Sequence, residues 1–100
     1  MNETTITKRI LAALRARGAY AFKIHGHPMQ QAGLPDICAV YQGRAIFLEV
    51  KREGQYATRL QQHTLNKLAE CGALAYVIRS EEEAMGVLDL VGVDNDSTKA

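Results

Sequence analysis

Three residues in this chain can do chemistry together. Asp36 opens the segment DICAVYQGRAIFLEVK, and Glu49-Val50-Lys51 closes it. Between them lies a strand-like apolar stretch, beside which a charge is costly unless something pairs with it. Gln42-Gly43 sits mid-segment as a two-residue hairpin loop. Residue 41 then faces 44, 39 faces 46, 37 faces 48, and by the same count Asp36 faces Glu49. Alternation from 41/44 makes 36/49 a non-hydrogen-bonded pair, with Cβ atoms roughly 4.5–5.5 Å apart. Period-two alternation puts Lys51 on the face of Glu49. Two carboxylates so placed repel, unless they share a proton or hold a cation between them. Converging oxygen ligands suit Mg2+ or Mn2+. A neighbouring lysine can hold an attacking water or offset charge growing on a phosphate. The pattern fits metal-assisted phosphodiester hydrolysis. The plain alternative is a differently placed turn, with the charges at solvated strand ends.

The elements around these residues follow from periodicity. Residues 3–17 form an amphipathic helix with Ile6, Ile10, Leu11 and Leu14 on one face, Asn2 or Thr4 as cap and Gly18 as stop. Strands follow at Tyr20–Ile24, Asp36–Tyr41 and Arg44–Lys51. Ile37, Ala39, Tyr41, Ile46, Leu48 and Val50 form a core face. The face shared with Asp36 and Glu49 carries Cys38, Val40, Ala45 and Phe47, so both sides are partly covered and these strands are central. Thr58–Cys71 is a second helix with Leu60, Leu65 and Leu68 inward and Gly72 as its end. ALAYVIRS is a further strand. Ser80 and Glu83 make a capping box that opens a third helix to about Val91, before a frayed tail over 92–100. The order α-β-β-β-α-β-α means an α/β fold with a mixed sheet flanked by helices.

Length and charge bound the reading. One hundred residues make one domain. No apolar run reaches the ~20 residues that span a bilayer, and the polar start is no secretory signal. Cys38 and Cys71 fall in no C-x-x-C pattern, which reads as two reduced thiols in an intracellular, cytoplasmic protein. The net charge of +1 hides an asymmetry: residues 1–35 carry five Lys/Arg against one acid, and residues 81–100 carry one against six. The basic part can meet phosphate, and the acidic end repels it. Ordinary solvated faces are the bland alternative.

The motifs, taken in order, resemble the virus-type replication-repair nuclease (VRR-NUC) domain of the PD-(D/E)xK nuclease superfamily. They are Gly33-Leu34-Pro35-Asp36, Leu48-Glu49-Val50-Lys51, Thr58-Arg59-Leu60-Gln61, and Leu68 through Gly72-Ala73. Thr58 replaces the family's serine. The resemblance implies a restriction-endonuclease-like core over 1–91 and a Mg2+ or Mn2+ cofactor. Asp36, Glu49 and the Val50 carbonyl would be ligands, and Lys51 the catalytic lysine. It implies a site role for Gln61, which is equally a capping-box residue. It implies a superfamily first-helix acid at Glu3, although the reading of Glu3 as an acid favoured by the helix dipole comes first. The implied activity is a structure-selective DNA endonuclease, as in stand-alone relatives that resolve four-way (Holliday) junctions as homodimers in a bacterial or phage-infected cell. A flap or nicking nuclease, and a non-catalytic nucleic-acid-binding module, are the alternatives. Lys8, Arg9, Lys23, His25 and Arg59 are candidate DNA contacts. His27 and Tyr56 are weaker ones, and the H-x-H spacing at 25–27 lacks a third ligand for a soft metal.

Overall fold

The computed structural model describes residues 1–99, with side chains as far as Val93. Its elements are α1 (Glu3–Ala16), β1 (Tyr20–Lys23), β2 (Ile37–Tyr41), β3 (Arg44–Val50), α2 (Arg59–Glu70), β4 (Leu74–Ile78) and α3 (Glu81–Lys99). Order and type are those the periodicity predicts. The four strands form one sheet in the order β1-β2-β3-β4. The first two pairings are antiparallel and β3–β4 is parallel, so the sheet is mixed with β2 and β3 central. α3 continues past Val91. Side chains from 94 onward and Ala100, within the stretch where a tail is expected, lie outside the described residues.

Local chemistry sets the ends of each element. Asn2, rather than Thr4, caps α1, its side chain accepting from the Thr5 N–H at 2.9 Å. α1 and α2 end alike. Gly18 and Gly72 adopt positive φ, and the following N–H closes a long bond, Ala19 to Leu14 O at 3.0 Å and Ala73 to Leu68 O at 3.1 Å. This bond accounts for the Leu68…Gly72-Ala73 motif as a helix stop. Gln42 and Gly43 both have positive φ, 49° and 80°, as a tight I′ hairpin requires. The register follows: Tyr41 pairs with Arg44, Ala39 with Ile46, Ile37 with Leu48.

Ile37, Ala39, Ile46, Leu48 and Val50 are fully buried on one sheet face, beneath α1 and α3. Ile10 and Leu14 of α1 and Ala84, Leu88 and Val91 of α3 complete this core. α2 packs on the other face, against β3 and β4. Its buried contacts are Thr64 and Leu65; Leu68 is half-buried and Leu60 is 49% exposed, not inward as the spacing suggests. The cover on this face stops short of β1 and β2. Tyr20, Phe22 and Val40 remain exposed there, so the strands are central without being covered on both sides.

Leu60 has a different task. Gly33 has φ +84°, and a Cβ added there would lie 2.7 Å from Leu60 Cγ and 3.2 Å from Thr64 Oγ1. The loop before Asp36 thus lies directly on α2, and only glycine allows both the φ and the approach. Gly33→Ala is expected to cost about 1–3 kcal/mol in urea unfolding. Adding Leu60→Ala should recover only part, because the backbone strain stays; full recovery would mean that crowding alone selects this glycine.

Candidate active site

Asp36 is strapped in place by its own backbone and side chain. Its N–H donates to the Leu48 carbonyl at 3.1 Å, and its carbonyl accepts from the Ile24 N–H at 2.7 Å. Its Oδ2 accepts from the Val50 N–H at 2.8 Å. The carboxylate is therefore held across β3, beside Glu49. Glu49 is 2% exposed, on the α2 side of β3. Lys51 follows on the same face, with Nζ 3.5 Å from Glu49 Oε2. The hairpin register ends at Ile37–Leu48, and Asp36 lies just before β2 with its N–H turned to the Leu48 carbonyl, so the expected non-hydrogen-bonded 36/49 strand pair does not form. Asp36 still lies beside Glu49, and strand alternation puts Lys51 on the face of Glu49.

The electrostatics are unbalanced. Among the described residues, Glu49 Oε1 is buried and finds no hydrogen-bond partner. Burial, then the charge of Asp36, raises the Glu49 carboxyl from 4.5 to about 7, against the opposing pull of Lys51. One ammonium does not compensate two carboxylates here. The donors fit a hard divalent cation: two carboxylates converge, and one buried oxygen lacks any other partner. Among the described residues no cluster of three or more His, Cys, Asp or Glu forms, so the two carboxylates have no third such side chain beside them.

The other expected residues divide. Lys23 and His27 line a groove of about 400 Å3 that ends at Asp36, with Gln30, Gly33 and Pro35. His25 is exposed and not part of that lining. His27 Nδ1 accepts from the Met29 N–H at 3.1 Å, which ties the loop to itself. The side-chain oxygen of Gln61 accepts from the Thr58 N–H at 2.9 Å and its own N–H donates to Thr58 Oγ1 at 3.1 Å, a complete capping box. Among the described residues Glu3 joins no cluster of three or more His, Cys, Asp or Glu; it lies in the first turn of α1. Lys8 is exposed on α1, which packs on the face opposite Glu49. Arg9 lines a separate hollow with Met1, Arg79 and Glu81. Arg59 and Tyr56 line a third hollow with Val77 and Arg79.

Arg79 is the residue that sequence reading missed. It follows β4, whose Ile78 carbonyl accepts from the Lys51 N–H at 3.0 Å. It donates to the Gln55 carbonyl and lies over the Tyr56 ring, 5.4 Å from the centroid. The only hint in the sequence is a cation just ahead of the Ser80 cap. There the Ser80 Oγ accepts from the Glu83 N–H, and the Glu83 carboxylate accepts from the Arg79 N–H rather than from Ser80.

No protein-family model and no curated protein matches the chain. Solved structures do. A VRR_NUC domain aligns at TM-score 0.72 and 21% identity, over 87% of this chain and 94% of that one. Hjc of Archaeoglobus fulgidus, a Holliday junction resolvase from an archaeal hyperthermophile, aligns at TM-score 0.63 and 25% identity, over 77% of this chain and 67% of that one. The chain has a VRR-NUC-type nuclease fold. The mixed sheet with its flanking helices is accordingly a restriction-endonuclease-like core, as the four motifs imply. No helix among the described residues is long and apolar enough to cross a membrane.

The raised Glu49 carboxyl makes stability depend on pH. Below the ordinary glutamate range, folded and unfolded chains both hold the proton, and its contribution is intact. Between there and about 7 the unfolded chain ionises first, so stability falls; above about 7 the loss is complete. Glu49→Gln should therefore raise the metal-free melting temperature at pH 8 by roughly 5 °C or more, with little change at pH 4. An equal gain at both values would contradict a buried charge as the cause.

Proposed function

We propose that this chain is a Mg2+- or Mn2+-dependent, structure-selective DNA endonuclease that hydrolyses phosphodiester bonds, with four-way junctions as its substrate. The observation that carries the reading is the Asp36–Glu49 pair, held together at one end of the sheet with Lys51 beside it and a buried oxygen unpartnered. Such a pair costs stability in the empty chain, so its retention needs a use. The resolvase among the structural matches supports the junction reading.

Each residue then has a role. Asp36, Glu49 and the Val50 carbonyl would hold the cation. A bound divalent cation would supply Lewis-acid stabilisation of charge on the scissile phosphate. Lys51 places its ammonium where it can orient the attacking water and offset charge that grows only in the transition state. Lys23 and the groove beside Asp36 would guide the strand toward the pair. Arg59 sits on the same side of the sheet and can meet phosphate.

A four-way junction has two-fold symmetry and needs two cuts, which a C2 homodimer supplies. The open part of the sheet suits such pairing. Tyr20 and Phe22 pair laterally with Val40 and Cys38, and the first three are 76%, 45% and 47% exposed. We assign this apolar face to a second copy of the chain.

Cleavage of labelled junction, flap, duplex and single-stranded DNA, with Mg2+, Mn2+ or EDTA, tests the activity. Paired cuts in the junction, abolished by EDTA, are expected; nicks in flaps alone would move the substrate to the flap class. Lys51→Ala should lower turnover by about 100-fold or more while changing DNA affinity little. A near wild-type rate would remove Lys51 from the chemistry.

Mn2+ titration should show binding that Asp36→Asn or Glu49→Gln abolishes. In the intact chain, binding should strengthen as pH rises through about 7 and Glu49 ionises. Unchanged affinity in either variant would remove that carboxylate from the ligand set.

Light scattering should give about 22 kDa, twice the 11.0 kDa chain. Val40→Glu should shift it toward the monomer. A wild-type monomer that still cuts both junction strands would overturn the pairing.

A further inference from the structure

We propose that Tyr56, backed by Arg79, is a stacking subsite for a base that has lost a stacking neighbour at the branch of the DNA substrate, on the sheet face that carries the carboxylate pair. The proposal rests on the endonuclease reading and names the feature of branched DNA that the site would recognise. Tyr56 lies in the loop between β3 and α2, and its residue surface is 78% exposed. A large aromatic ring in water on a loop would ordinarily be free to turn. This one is held. The Arg79 guanidinium lies over the ring, and the same guanidinium donates to the carbonyl of Gln55, the preceding residue. Ring and loop are thus fastened to the end of β4 by one side chain.

The ring borders a hollow of about 430 Å3, lined also by Thr58, Arg59, Gln62, Val77 and Arg79. That volume lies within the range of small-molecule sites. Val77 is the lateral partner of Glu49 in the parallel β3–β4 pair, so the hollow opens on the face that carries the carboxylates. Its described lining contains two arginines and no acid. The chemistry is that of a single nucleotide: a π-face for the base, and cations for the adjoining phosphate. Fastening the ring beforehand reduces the ordering cost of stacking.

The consequence is selectivity by DNA shape. In continuous duplex every base is already stacked, and offering one to Tyr56 requires unstacking it. At a branch point one stacking neighbour is already lost, and in a single strand no pairing has to be broken, so the cost is lower. The subsite would therefore favour branched over linear DNA without reading any base edge.

The test uses a four-way junction carrying 2-aminopurine at the branch, and a linear duplex with the same label, both in EDTA so that no cleavage intervenes. Wild-type protein should quench the junction probe and bind the junction more tightly than the duplex. Tyr56→Ala should remove the quench and weaken junction binding about tenfold, leaving duplex binding within twofold. Tyr56→Phe should keep the quench, because the ring and not the hydroxyl stacks. Arg79→Ala should lose part of the quench and Arg79→Lys less of it. A Tyr56→Ala protein that quenches like wild type, or that loses junction and duplex binding equally, would overturn the subsite. Quenching by a chain that cuts none of the substrates would sink the endonuclease reading and leave the subsite standing.

Discussion

Two carboxylates meet at the end of an antiparallel hairpin, and one of them is buried. That contact organises the rest of the molecule. Glu49 cannot leave its place, because it lies in β3 paired with Val77 of β4, with the core residues Leu48 and Val50 on either side of it in the chain. Asp36 cannot retreat either, because both of its backbone groups and one carboxylate oxygen are bonded to neighbouring strands. The repulsion is fixed by the same hydrogen bonds that build the sheet. A proton relieves it in the empty chain, which is why the Glu49 carboxyl rises to about 7. A divalent cation can relieve it more fully by meeting the unpartnered oxygen. Binding of the proposed cation and stability of the metal-free chain would thereby be opposed at this site, a common cost of a preorganised centre.

The scaffold keeps the geometry by covering the sheet unevenly. α1 and α3 seal one face around Ile37, Ile46, Leu48 and Val50. α2 covers only the β3–β4 part of the other, and its Leu60 meets Gly33 of the loop that delivers Asp36. The crossover helix is thus both the partner of the parallel strand and the support of the site loop. Where α2 ends its cover, the sheet leaves an apolar strip over β1 and β2. The hollow lined by Arg59 and Arg79 opens on the same side of the sheet as the carboxylate pair, while the acidic first turn of α3 lies at the β4 end, where Glu83 caps the Arg79 N–H. The charge asymmetry along the chain is therefore also a spatial one in part, though Lys8 and Arg9 sit with α1 on the far face.

What the chain determined by itself was the local geometry, and that was enough for the heart of the site. A two-residue Gln42-Gly43 turn admits one register, which runs to Ile37–Leu48 and so leaves Asp36 next to Glu49, with Lys51 on the face of Glu49. Helix stops at Gly18 and Gly72 and the Thr58–Gln61 capping box were legible for the same reason, since each is closed within a few residues. The relations that tertiary structure alone decided link segments with no short turn between them. Nothing local sets the β3–β4 register, because a parallel pair is joined through a helix, so Arg79 gave no sign that it would lie beside Lys51 and grip Tyr56. Leu60 looked like a core residue by spacing, yet the helix turns it toward Gly33 and leaves it half-exposed, because α2 packs against two strands rather than the whole sheet. The burial of Glu49, and with it the shift of its proton affinity, likewise came from the layers above and below the strand. Sequence carries the alternation that aims a side chain; only packing decides how much water remains around it.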